Sequence, residues 1–174
     1  MTLIFQWVID EMIIFRHAKN EDFDFYYNLK CEESAIYWGG FEKAPDRDNF
    51  HNHFKKIVAG NSDERQLLFA IDSNMLVGFL QLTRNIDSEY EISYGVSESF
   101  RGHGYGYAIL EYAKKIIVQM DRDVTLIGYV RYDNIASIKC FQHNGFYKCD
   151  EFDERFFPVD GEKKKMYLWK WSEK

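Results

Sequence analysis

Proline and cysteine are scarce in this 174-residue chain, and it has no apolar run long enough to span a membrane. With 2 prolines and no Ser/Gly-rich linker, low-complexity tract or internal repeat, nothing divides the sequence, so one domain over 1–174 is expected. Cys31, Cys140 and Cys149 are an odd set without C-x-x-C spacing, which argues against a disulfide framework and against zinc. His51 and His53 lie two apart among polar residues with no third ligand nearby, so no metal is expected. The apolar stretch Met1 to Ile9 has no basic residue and runs into Asp10-Glu11, unlike a secretory signal. Residues 1–11 are read as an extra strand or a non-native extension, with Met12 then the native start. The net charge of −6 disfavours a nucleic-acid backbone as partner, and the one dense basic run, Lys163 to Lys165, reads as a solvated hairpin tip. These absences describe a soluble, cytoplasmic chain with neither nucleic-acid nor membrane partner.

What is present is core material: 46% of residues are hydrophobic and 18% aromatic. Met12 to Arg16 reads as a strand, followed by a helix capped near Asn20 with Glu21, Asp22 and Asp24 in its first turn, where negative charge suits the dipole. Ser34 to Pro45, with Trp38-Gly39-Gly40, reads as a loop or broken helix, and Asp48 to Ala59 as a second helix. Gln66 to Asp72 and Met75 to Thr83 flank Ser73-Asn74 as a hairpin. The strand Tyr90 to Val96 is followed by a long helix with apolar residues at Ile109, Tyr112, Ala113, Ile116, Ile117 and Met120. Val124 to Val130 reads as a strand, Ile135 to Asn144 as a helix, and Tyr147 to Phe152 and Lys164 to Trp171 as the last strands.

Between the Tyr90 strand and the long helix stands Arg101-Gly102-His103-Gly104-Tyr105-Gly106. A strand, a glycine loop and a helix start form an anion site, because the first helical amides lack partners and the dipole is positive there. A phosphate or pyrophosphate is the expected ligand. The spacing is G-x-G-x-G: Tyr107 stands where the dinucleotide fingerprint needs glycine, and the Gly-Lys-Ser/Thr of a triphosphate loop is missing.

About thirty residues on, Asn134-x-x-Ser137-x-x-x-Phe141-x-x-x-Gly145-Phe146 begins with a good N-cap and ends at a C-cap glycine. The two motifs in this order resemble the GNAT superfamily of acyl-CoA-dependent N-acyltransferases, closely over residues 66–146 and in element order over the whole chain. The resemblance implies an α+β fold, a central mostly antiparallel mixed sheet flanked by helices. It implies acetyl-CoA as co-substrate, its pyrophosphate on the amides of Arg101, Gly102, His103, Gly104, Tyr105 and Gly106. Backbone groups of Tyr94 and Val96, with Asn134, Ser137 and Phe141, would line the pantetheine. The implied acceptor is a small-molecule or peptide amine, taken in a ternary complex, with a homodimer left open.

Transfer to an amine needs a base, since an alkylammonium has a pKa of about 10.4, a donor for the developing oxyanion, and an acid for the thiolate. By position the Tyr94 amide is the oxyanion donor. The tyrosine acid of many family members is replaced here by Phe141, and the glutamate base of the ribosomal-protein alanine acetyltransferases by Tyr129. Glu91 remains as a base, one residue out of step with the glutamate that other members carry on that strand, and Tyr129 and Tyr94 are the alternatives. Cys140 and His143, three apart on a helix, could face each other as a nucleophile pair. Two further readings compete: an inactive acyl-CoA-binding module of the same fold, and a nucleotide-binding protein of another fold. The acceptor is expected between Ser34 to Asn52 and the C-terminal hairpin, near Tyr37, Trp38, Phe41, Glu42, Asp46 and Asp48.

Overall fold

The computed structural model describes residues 13–62, 64–86, 88–120 and 123–173. The proposed role of residues 1–11 as an extra strand or non-native extension therefore lies outside the described residues. Seven strands form one sheet in the order β1-β2-β3-β4-β5-β7-β6. They are β1 (Ile13–His17), β2 (Arg65–Asp72), β3 (Met75–Ile86), β4 (Glu89–Val96), β5 (Thr125–Arg131), β6 (Tyr147–Phe157) and β7 (Glu162–Ser172). Every neighbouring pair is antiparallel except β4 and β5. The helices are α1 (Phe23–Cys31), α2 (Glu33–Gly39), α3 (Arg47–Ala59), α4 (Tyr105–Met120) and α5 (Ile135–His143). This is the expected mixed α+β architecture.

Alternation along the strands makes two cores. On one face Leu68, Leu80, Leu82, Tyr90 and Ile92 pack with Ile109, Leu110, Ala113 and Ile117 of α4 and Phe141 of α5. On the other, Leu67, Phe69 and Phe79 pack with Phe23, Tyr26 and Leu29 of α1 and Phe54 and Ile57 of α3. The Ser73-Asn74 turn has φ of 49° and 65° at its two central residues, the geometry of a tight hairpin.

Several expectations need correcting. The first helix opens with a 3-10 turn at Asn20–Asp22. Asp22 stands in that first turn as expected and is buried there, held by Arg16 at 2.7 and 2.8 Å and by the Lys19 amide at 2.7 Å. Burial pushes its carboxyl up, and these donors outweigh that and hold it below the usual range. Within Ser34 to Pro45 the chain makes an ordinary short helix, α2, which ends at Gly40 with φ 72°. The last hairpin turns at Pro158–Gly161 rather than at the lysines, because Gly161, at φ 68°, supplies the left-handed residue. Lys163, Lys164 and Lys165 therefore belong to β7, where Lys165 lies over the Phe152 ring.

Candidate active site

The strands β4 and β5 pair only at Glu89↔Thr125, Tyr90↔Leu126 and Glu91↔Ile127, although both run on, to Val96 and Arg131. Beyond Glu91 they splay, each keeping its outer partner, β3 or β7. The Ser97 amide donates to Val77 O at 3.0 Å, which fixes the phase of the β3–β4 ladder. Counting back by twos, Gly95 and Ser93 bond to β3, so Tyr94 and Val96 turn their N–H and C=O groups into the gap. The geometry thus puts the Tyr94 N–H and C=O and the Val96 N–H in a slot through the sheet, while the Val96 C=O accepts from Arg101 Nε at its mouth.

The glycine loop leads from this slot into α4. Gly102 and Gly104 have φ of 80° and 87°, which lets the loop double back without side-chain clash. The Arg101 amide is spent on Glu98 O at 3.3 Å, whereas the amides of Gly102 through Gly106 donate to no group among the described residues. Five such amides at the start of a sixteen-residue helix are a row of unspent donors at the positive end of its dipole. The loop side chains point elsewhere. Tyr105 gives its hydroxyl hydrogen to Asp72, which pushes the phenol up to about 12, and His103 Nδ1 lies 3.2 Å from Phe100 O. The Arg101 guanidinium bonds Val96 O at 3.0 Å, Ser34 Oγ at 2.6 Å and Glu32 Oε2 at 3.2 Å.

On the helix side of the slot, Asn134 caps α5 by accepting from the Ser137 amide at 3.2 Å. Ser137 Oγ lies 3.3 Å from the Tyr94 hydroxyl, which burial pushes far above its ordinary pKa. Tyr94 therefore stays protonated and keeps its O–H as a hydrogen-bond donor. Phe141 is 2% exposed, and its ring lies so near Gly128 that a Cβ there would fall 2.6 Å from it. Cys140 faces Gly106 and Tyr94, and burial raises its thiol pKa. A protonated thiol with its neighbour His143 exposed is no nucleophile pair, which corrects that reading.

The opposite face carries the remaining candidates. Glu91 and Ile127 are paired directly, so they share a face, and Ser93, Tyr129 and Arg131 follow them by twos. Glu91, Ser93 and Tyr129 are exposed there, Tyr129 at 39%. Sequence reasoning missed the walls of this groove. Arg131, 1% exposed, bonds Asp133 at 2.7 Å, Asp160 at 2.7 Å and the Tyr37 hydroxyl at 2.6 Å. The rings of Tyr37, Trp38 and Phe157 lie 4.4–4.6 Å from its guanidinium. Tyr37 and Trp38 were expected on this side, whereas Arg131 was not among the expected site residues. Lys30 of α1 sits 4.1 Å over the Phe79 ring, and burial lowers its ammonium to about 8. The His51 ring lies 4.2 Å from that of Phe23, tilted by 34°, and no group of three His, Cys, Asp or Glu among the described residues could hold a metal.

Comparison with known proteins agrees with the geometry. The family model described as "Acetyltransferase (GNAT) domain" matches residues 12–147. The chain belongs to the GNAT acetyltransferases. No curated protein sequence matches it significantly. Among solved structures it is similar to the spermidine N-acetyltransferase of Vibrio cholerae in complex with CoA and spermine, at 16% identity and a TM-score of 0.82, covering 93% of this chain and 96% of that one. It is also similar to the ribosomal-protein-alanine N-acetyltransferase of Brucella melitensis, at 20% identity and a TM-score of 0.73, covering 92% and 99%. The phosphinothricin acetyltransferase of Sinorhizobium meliloti in complex with AcCoA aligns at 15% identity and a TM-score of 0.76, over 92% and 88%. No helix among the described residues is long and apolar enough to cross a membrane.

Proposed function

We propose that the protein transfers an acetyl group from acetyl-CoA to a primary amine by direct attack in a ternary complex. The observation that carries this reading is the row of unspent amides, Gly102 to Gly106, beside the slot where β4 and β5 part. The amides hold the pyrophosphate. The Tyr94 and Val96 backbone and the Asn134 Nδ2 group bond the pantetheine, and Ser137 and Phe141 flank it. The Tyr94 N–H donates to the charge that develops on the thioester oxygen. The amine approaches from the face bearing Glu91, Ser93 and Tyr129. Its nitrogen bonds to the acetyl carbon, the carbon–sulfur bond breaks, and Glu91 takes the amine proton directly or through one water. Phe141 has no proton to give, so solvent protonates the departing thiolate. The spermine held by the Vibrio cholerae enzyme of similar fold supports a cationic acceptor, and the net charge of −6 suits one.

The test is thiol release from acetyl-CoA across a panel of alkylamines, amino sugars, polyamines and peptides. Release that depends on one amine class supports the reading. Phe141 favours a second reading, a module that binds acyl-CoA without turning it over, and calorimetric binding with no release for any amine would establish that instead. Glu91→Gln keeps shape and removes basicity. It should lower the rate on the order of 10²–10⁴-fold while leaving acetyl-CoA affinity nearly intact, and the loss should shrink at higher pH as more amine is neutral. A Glu91→Gln variant as fast as the parent at neutral pH would transfer the base role to Tyr129 or to water.

A further inference from the structure

α2 is seven residues long and buries none of them fully, so neither its own helix propensity nor core packing holds it in place. Polar ties at its two ends do. At the first end the Glu32 carboxylate accepts from Ser97 Oγ at 2.7 Å, from the Glu98 amide at 3.1 Å and from Arg101 Nη2 at 3.2 Å. Ser34 Oγ accepts from Arg101 Nη1 at 2.6 Å and donates to Glu98. The same guanidinium donates through Nε to Val96 O, at the mouth of the slot. At the second end the Tyr37 hydroxyl accepts from Arg131 at 2.6 Å and donates to Asp160 at 3.1 Å, and Trp38 lies on the Arg131 guanidinium. Arg131 is on the face of Glu91 and Tyr129, so α2 walls the acceptor groove.

We propose that α2 is a strap that couples the coenzyme loop to the acceptor wall, and that Arg101 is a positioning residue acting through Glu32 and Ser34 rather than a ligand of the phosphate. The proposal rests on the coenzyme reading given above. Its physical basis is that Arg101 immediately precedes the free amides. An anion that stiffens Gly102 to Gly106 also stiffens the arginine, and with it the first end of α2. The second end is already fixed by Arg131. Coenzyme binding therefore removes freedom from the acceptor wall, and by linkage an amine that orders α2 tightens coenzyme binding by the same factor.

Hydrogen exchange of the α2 amides, with and without saturating CoA, tests this without requiring turnover. In the parent, CoA should slow exchange over residues 33–39 roughly tenfold, within the usual range of such couplings. Glu32→Gln breaks the charged tie and touches no phosphate. Its CoA affinity by calorimetry should stay within about threefold of the parent, while the slowing falls below about twofold. Arg101→Lys, which keeps the charge but cannot reach Val96, Ser34 and Glu32 together, should behave the same way. Unchanged α2 exchange in the CoA-bound parent, or full slowing in Glu32→Gln, overturns the strap and leaves the transferase reading standing. Arg101→Lys that loses CoA affinity more than about tenfold while α2 still responds would make Arg101 a phosphate ligand and overturn the proposal. A parent that does not bind CoA at all overturns both readings.

Discussion

The guanidinium of Arg131, itself buried, meets two partly exposed carboxylates, a hydroxyl and three aromatic rings. Removing one partner of such a buried group leaves the others unpaired, so Arg131→Met should cost about 3–5 kcal/mol in urea unfolding, far more than an exposed ion pair. A loss under about 1 kcal/mol would mean that Asp133 and Asp160 re-solvate freely. Lys30 makes the opposite case, a cation that lies over the Tyr26 and Phe79 rings. Its folded pKa, about 8, lies below the unfolded value of about 10.4, so the unfolded chain binds more protons between these values. The penalty is fully present below pH 8 and is relieved as pH rises toward about 10.4. Lys30→Met should therefore stabilise the fold at pH 7 by on the order of 1–2 kcal/mol, with the gain shrinking to nothing by about pH 10.4. A gain that does not vary with pH would assign it to packing instead.

Among elements, the seating of α5 on β5 turns on one contact, the Phe141 ring over Gly128. A methyl at Gly128 would lie 2.6 Å from Phe141 Cζ and 3.2 Å from Ile92 Cγ2, both on the packed face. Gly128→Ala should cost about 1–3 kcal/mol through overpacking, and adding Phe141→Leu should recover part of it, a non-additivity read from paired melting curves. Simple additivity of the two losses would break the argument. The same contact shows why some of the site was legible in the sequence and some was not. The Gly102–Gly106 loop and the Asn134 cap are local devices whose residues lie close together in the chain, and both stand where their spacing put them. The face of Glu91 depends on the pairing of β4 with β5, which period-2 alternation alone leaves open. Arg131, Tyr37, Trp38, Phe157 and Asp160 come from three distant stretches, so no window of sequence could join them. α2 was hard to read because a helix without a buried stripe has no periodic signal. The lysine run misled because charge marks solvent, whereas a turn is marked by residues such as Gly161.

At the scale of the molecule, the sheet is a partition that opens where β4 and β5 part. Helices α4 and α5 and the glycine loop cover one face, the proposed coenzyme side, and α1, α2 and the β6–β7 hairpin surround the other, where Glu91 and Tyr129 stand exposed. The central claim is that the coenzyme lies in the β4–β5 slot with its pyrophosphate on the loop amides, so that the thioester meets an amine coming from the Glu91 face. Backbone amide NMR during titration with CoA measures this most directly. The account predicts that the signals of Gly102 to Gly106 move together with those of Tyr94 and Val96, saturating at one concentration. Shifts confined to other surfaces, with these seven amides unmoved at saturation, would contradict it.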